Sequence, residues 1–186
     1  MREPSYDTIQ KEDLLKKCFD YLSEAGLESV SMRKMCEETG IAMSSVYYWF
    51  GNKEGVILSA TEWGLDNVIG ELFDYIDRYI DNLQITIITF PEFAMQYKNQ
   101  LRFIYQVVTS LKYGDSIRSL SNKLSEVCDT YAGKISNHFG CNKQSVVPYT
   151  YLFVSAVLDY VIWYDRNKME NELSCIYGSI NEIIKS

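Results

Sequence analysis

The stretch Val30-Ser-Met-Arg-Lys-Met-Cys-Glu-Glu-Thr-Gly-Ile-Ala-Met-Ser-Ser-Val-Tyr-Tyr-Trp-Phe-Gly-Asn-Lys-Glu54 constrains this chain more than any other part of it. Ser31 reads as a helix N-cap, with Val30 and Met35 at the spacing of a hydrophobic staple. The helix it opens ends at Thr39-Gly40, where glycine lets the backbone turn without a Cβ clash. After a turn of about three residues, a second short helix runs from about Ser44 to Phe50. Gly51 stops it, and Asn52 is placed to cap the next helix. Two short helices around a glycine turn make a helix-turn-helix, a unit that fixes much of the local geometry before any other residue is considered.

The remainder extends this unit into an all-α chain. Leu14, Leu15, Cys18, Phe19 and Leu22 line one face of a first helix over about 8–25, which Gly26 stops. A long helix covers about 53–80, with Val56, Ile57, Ala60, Trp63, Val68, Leu72, Ile76 and Tyr79 in helical period. Further helices are expected at about 84–99, 101–112, 116–138, 145–165 and 169–185. The breaks between them fall at Asn99-Gln100, Gly114, Gly140-Cys-Asn and Asn167-Lys168. Ser145 is the expected cap of the penultimate helix, with Pro148 in its first turn, and Pro91 either kinks its helix or begins its regular part. No segment shows strand alternation between hairpin turns. The expected architecture is an N-terminal three-helix head over 1–52, joined by the long fourth helix to a helical body over 53–186.

A helix-turn-helix braces one helix on the phosphate backbone while the next enters the major groove. Ile41, Val46 and Phe50 provide a buried side for the second helix, which leaves Met43, Ser44, Ser45, Tyr47 and Tyr48 facing outward. Serine and tyrosine hydroxyls, with the amides of helix N-termini, are suited to phosphate and base-edge contacts. Charge runs the other way. The net charge is −7, and residues 1–60 carry seven Lys or Arg against ten Asp or Glu. Such a head holds DNA non-specifically only weakly. The same spacing also suits a plain helical hairpin in a core.

Enzyme chemistry finds no support. The one histidine, His138, sits beside Gly140 as a helix-end group, and neither a phosphate loop nor a metal motif is present. No cofactor is implied. The five cysteines are dispersed without a CxxC pair, which argues against a disulfide framework and a structural zinc site. The N-terminus has no apolar signal core, and the stretch from Tyr149 to Tyr164 is interrupted by Asp159 and short for a membrane span. A cytoplasmic protein without membrane contact is expected.

The residues Gly40 to Glu54 resemble the signature of TetR-family transcriptional regulators, in which a Gly-Val-Ser turn precedes Leu-Tyr-x-x-Phe and x-x-Lys-Glu. Leu14 to Gly26 and Ser31-Met-Arg-Lys-Met35 resemble the family's first helix and its Thr-x-Arg-Asp-Ile element. The resemblance covers about residues 8–58. It implies backbone contacts by Ser31 and Arg33, base-edge contacts by Met43, Ser44 and Ser45, and phosphate contacts by Tyr47 and Lys53, with Tyr48 reaching either. Ala42, Met43 and Tyr48 depart from the common serine, lysine and basic residue at their positions. Trp49 stands where the family has His or Tyr, and suits bracing the helix as well as touching DNA.

The resemblance also implies a homodimer on a palindromic operator, usually a repressor, released by a small-molecule effector. For the effector, the amphipathic aromatics Trp63, Tyr97, Tyr105 and Tyr131 are the candidates, an apolar or aromatic ligand being the match. For the dimer, the stripes Val154, Leu158, Val161 and Ile162, and Ile176, Ile180, Ile183 and Ile184, are favoured over a purely intramolecular core. The competing reading is a helical ligand-binding or adaptor dimer with weak or lost DNA binding.

Overall fold

The computed structural model describes residues 6–185, with side chains described over 11–82, 85–113 and 119–185. Helix α1 (Tyr6–Ala25) buries Cys18, Phe19 and Leu22 and ends at Gly26, whose φ is +73°. Helix α2 (Met32–Thr39) starts at Ser31, whose side chain accepts a hydrogen bond from the Lys34 amide at 3.4 Å. Val30 and Met35 are both buried, as a staple requires. Gly40 takes the left-handed conformation (φ 69°, ψ 16°) and turns the chain into α3 (Met43–Phe50).

The long fourth helix exists, with a joint that its periodicity does not announce. Helix α4 (Lys53–Gly64) passes through a π-helical turn at Leu65–Ile69 into α5 (Gly70–Arg78), the backbone staying right-handed helical throughout. A π turn inserts a residue into the ladder and rotates everything after it. Here it places Leu65, Val68 and Ile69 in the core. Helices α6 (Leu83–Met95), α7 (Lys98–Val108), α8 (Ile117–Phe139), α9 (Lys143–Trp163) and α10 (Arg166–Lys185) complete the body. No strand occurs among the described residues.

Several expected helix ends fall elsewhere: α7 stops at Val108 rather than near 112, and a 3-10 turn over Leu111–Ser116 covers the expected break at Gly114. Three others have a local reason. The α6–α7 break is at Gln96-Tyr97. The Tyr97 carbonyl accepts from the Leu101 amide at 2.8 Å and so draws Asn99 and Gln100 into α7. Helix α9 is capped by Asn142, which accepts from the Gln144 amide at 2.9 Å, so Ser145 lies inside the helix and Pro148 beyond its first turn. Helix α9 ends at Tyr164, a non-glycine residue in the left-handed region (φ 60°), and Asp165 caps α10 by accepting from the Lys168 amide at 2.9 Å. Lys98 and Arg102 stand 4.7 and 5.7 Å from the Tyr164 ring and help hold it there. Asn167 and Lys168 therefore lie in the first turn of α10 rather than in a break. Pro91 sits inside α6.

Head and body share one core. Phe19 of α1 packs against Trp63 of α4 at 5.5 Å and Phe103 of α7 at 6.0 Å between ring centroids. Two polar contacts reinforce this seam: the Leu27 amide donates to Gln106 Oε1, and Asn99 Nδ2 to Glu24 Oε1, each at 3.1 Å. Helix α9 is long and apolar enough to cross a membrane by length and composition. Its Val146, Thr150, Phe153, Val157 and Val161 are buried in the bundle, where α9 packs between α8 and α10, and this accounts for the apolar content.

Candidate nucleic-acid interface and the body behind it

Helix α3 is anchored on one side and bare on the other. Val46 is fully buried and Phe50 nearly so, with Ile41 buried in the turn before them. Tyr47 and Tyr48 are 51% and 79% exposed, large for aromatics in a folded chain. Ser44 is exposed beside them. Met43 and Ser45 are half-buried rather than outward, and Met43 Sδ lies 3.7 Å from Cys36 Sγ of α2. The first turn of α3 has no side-chain cap at Ala42, in keeping with the missing serine there. Trp49 is half-buried against the core, edge-on to Tyr48 at 5.0 Å and with Lys11 Nζ 5.9 Å above its ring. It braces α3.

Three basic side chains of the head are paired with carboxylates one turn away on their own helices. Arg33 Nε donates to Glu37 at 2.8 Å, Lys34 pairs with Glu38 at 3.5 Å, and Lys17 with Asp13 at 2.8 Å. Lys53 Nζ donates to the Val30 carbonyl at 2.5 Å, which ties the start of α4 to the entry of α2. That bond holds the Lys53 ammonium beside Ser31. Asn52 caps α4 by accepting from the Gly55 amide at 2.9 Å. The arrangement presents hydroxyls and short-range donors on a fixed face, with Arg33, Lys34 and Lys17 each paired to a carboxylate.

In the body, an apolar cavity of about 70 Å³ lies beside α5, walled by α6, α8, α9 and α10. None of Trp63, Tyr97, Tyr105 and Tyr131 lines it, and the fold does not bring these four together. Trp63 packs on Phe19 and edges a charged cleft with Lys11, Glu62, Asp66 and Lys123. Tyr97 precedes α7, and Tyr105 is exposed. Tyr131 stacks on Phe73 at 4.4 Å, while its hydroxyl donates to Asp74 Oδ1 at 2.5 Å and lies 2.9 Å from the Gly70 carbonyl. Burial first, and then the Asp74 carboxylate, push the Tyr131 hydroxyl pKa up. The same hydrogen bond, aided by Lys134, holds Asp74 below the usual carboxylate range. The cavity walls include Phe73, Phe139, Phe153 and Thr86, none of them among the four aromatic candidates, because a cavity wall and a core face have the same helical period.

The two stripes assigned to dimerisation divide. Val154, Val161 and Ile180 are buried within the single chain, which makes them intramolecular core, because α9 turns that side toward α8 and α10. Leu158, Ile162, Ile176, Ile183 and Ile184 are half-buried. Between α9 and α10 runs an open groove with Leu152, Ser155 and Cys175 exposed along it, bridged by Lys168 to Asp159 at 2.6 Å.

Residues 11–60 match the family model described as bacterial regulatory proteins, tetR family. The chain is also 26% identical over 109 residues to HTH-type transcriptional regulators of Staphylococcus aureus strains USA300 and COL. The alignment takes in 58% of this chain and 57% of each relative, so the chain spans little more than half the length of these relatives.

Proposed function

Taking as premise that the chain is a TetR-family transcriptional regulator, we propose that it binds a two-fold operator as a homodimer and is released by a small-molecule effector, acting as a repressor. The observation that carries this is the face of α3. Two adjacent tyrosines stand exposed on a helix whose other side is fixed in the core by Val46 and Phe50. A helix that served only as core would not hold such side chains in water. On this reading Ser44, Ser45, Tyr47 and Tyr48 reach bases and phosphates, with Met43 offering an apolar edge to a thymine methyl. Ser31, Arg33 and Lys53 hold the backbone around α2.

Residues 1–52 form the reading head and 53–186 the dimerising, effector-binding body, coupled through the α4–α5 rod and the Phe19–Trp63–Phe103 seam. The groove of α9 and α10, lined by Leu152, Ser155, Cys175 and Ile176, is the proposed two-fold face, with Leu158, Ile162 and Ile183 half-buried on the same two helices; it builds a four-helix bundle across the axis. The effector acts by displacing the rod and changing the separation of two heads that must sit about 34 Å apart. Reaction chemistry is not assigned to any residue, and the cytoplasm is the compartment such a regulator works in.

The test is binding of the full chain to fragments of its own upstream region by fluorescence anisotropy. Tyr47→Phe should weaken specific binding about tenfold or more, one hydroxyl contact being lost from each of two heads, while circular dichroism and sedimentation stay unchanged. Unaltered binding would refute the contact assignment. One observation favours a second reading, an adaptor dimer without DNA binding: Arg33 and Lys34 are each paired with a carboxylate one turn away. Failure to bind any fragment at low salt would select it.

A further inference from the structure

The cavity beside α5 has a chemistry of its own. Among the described residues its walls carry no charged side chain, and aromatic and aliphatic groups dominate them. One wall residue is out of keeping. Thr86 is 3% exposed, and its Oγ1 is buried without a hydrogen-bond partner among the described residues. Threonines within helices of this chain ordinarily satisfy themselves. Thr39, Thr61, Thr89, Thr109 and Thr130 each donate to the carbonyl four residues back, at 2.6 to 2.9 Å. Thr86 does not, and Thr150 of α9, also on the wall, is already bonded to the Val147 carbonyl at 2.8 Å. A buried hydroxyl left open is rare and costly, because nothing replaces the water it gave up.

Resting on the effector reading above, we infer that this cavity takes an uncharged, largely apolar molecule bearing one hydrogen-bonding group, which pairs with the Thr86 hydroxyl. An ionised ligand would have to shed its hydration with no counter-charge on the walls, and this excludes carboxylates and ammonium compounds. Size adds a consequence. At about 70 Å³ the cavity is roughly half the volume of about 150 Å³ that accommodates benzene in a dry protein core. A ligand of even one ring must push the walls apart. One wall is Phe73 and Ile76 of α5, which continues through the π turn into α4 and the head, so a ligand that parts the walls pushes on the rod.

The experiment is isothermal titration of the full chain with p-cresol, toluene and 4-methylbenzoate, using wild type, Thr86→Val and Thr86→Ser. The inference requires that both neutral probes bind wild type and that the carboxylate does not. The affinity ratio of p-cresol to toluene should fall about five- to tenfold in Thr86→Val, the worth of one buried hydrogen bond, and be retained in Thr86→Ser. Absence of neutral-probe binding, equal binding of 4-methylbenzoate, or a ratio unchanged in Thr86→Val would each overturn it. Operator binding is read separately. A chain that binds DNA but admits no probe refutes this inference and leaves the regulator reading standing. A chain that discriminates the probes through Thr86 but binds no fragment does the reverse.

Discussion

Gly64 is the position at which the coupling of head to body can be tested with a single methyl group. It lies buried at the end of α4, against the ring of Phe19 from α1. A Cβ built there would stand 2.3 Å from Phe19 Cε2 and 2.4 Å from Cζ. Carbon atoms in contact need about 3.5 Å, so the ring must move by roughly an ångström. It has little room, being 1% exposed and held between Trp63 and Phe103. Overpacking of this kind costs about 1–3 kcal/mol, and two overlapping ring atoms in a rigid cluster place the cost near the upper end. Alanine returns about 1 kcal/mol of helix propensity relative to glycine, for a net loss of about 2 kcal/mol. In a chain of this length, each kcal/mol lowers the midpoint by about 2–4 °C. Gly64→Ala should therefore melt about 4–8 °C below wild type.

Two further variants make the reasoning strict. Gly133→Ala in α8 adds a Cβ that stands 3.7 Å from its nearest neighbour, Lys143 Cε, and should stabilise by up to about 1 kcal/mol. Gly64→Ala combined with Phe19→Leu should lose at least about 1 kcal/mol less than the sum of the two single changes, since the smaller side chain relieves the clash and the added methyl fills part of the space it leaves. Thermal unfolding followed by circular dichroism reads all of these. A Gly64→Ala chain as stable as wild type, or additive single changes, would refute the close approach of α1 to α4 on which the coupling depends.

The caps and buried groups give further expectations. Asn52→Ala should cost about 1 kcal/mol and Ser31→Ala less, because the Asn52 cap bond is 2.9 Å and that of Ser31 3.4 Å; urea titrations compare them. Tyr131→Phe removes the strongest bond to Asp74, whose carboxylate is half-exposed, so the loss is about 1 kcal/mol at neutral pH after discounting for solvent. Because that bond depresses the folded-state pKa of Asp74, its contribution is present above the carboxylate's unfolded pKa and disappears as pH falls through the folded one. The gap between Tyr131→Phe and wild type should then narrow below about pH 4 in pH-dependent denaturation. Burial pushes the Cys18 thiol up to about 12 and the Cys128 thiol up to about 11, while Cys175 is exposed. Mass spectrometry after brief iodoacetamide treatment should find Cys175 modified and Cys18 and Cys128 intact until the chain unfolds.

The head was legible in the sequence because its determinants are local. Ser31, Gly40 and Asn52 act on backbone groups within three residues of themselves, and Val46 with Phe50 needs only one helical period. The body was legible as helices but not as surfaces. A stripe such as Val154 and Val161 reports that a face is buried, not whether the covering helix belongs to the same chain. The aromatic candidates failed to converge for a related reason: Tyr131 is amphipathic, but its hydroxyl is engaged by Asp74 from a helix 57 residues away. The left-handed turn at Tyr164 carries no glycine to announce it and is supported by Lys98 and Arg102 of α7. The π turn at Leu65–Ile69 changes the register of α5 without breaking its apolar period.

The central claim is that the α3 face reads DNA through hydroxyls and helix termini more than through bulk positive charge. The most direct measurement is the salt dependence of affinity for a fragment of the chain's own upstream region. Each phosphate neutralised by a lysine or arginine contributes about 0.9 to the slope of log K against log salt. With Arg33 and Lys53 as the two cations each head offers to phosphate, a dimer should give a slope of about −4 or shallower. Specific binding with that shallow slope is the predicted result. A slope near −8, or no specific binding at low salt, would contradict the account.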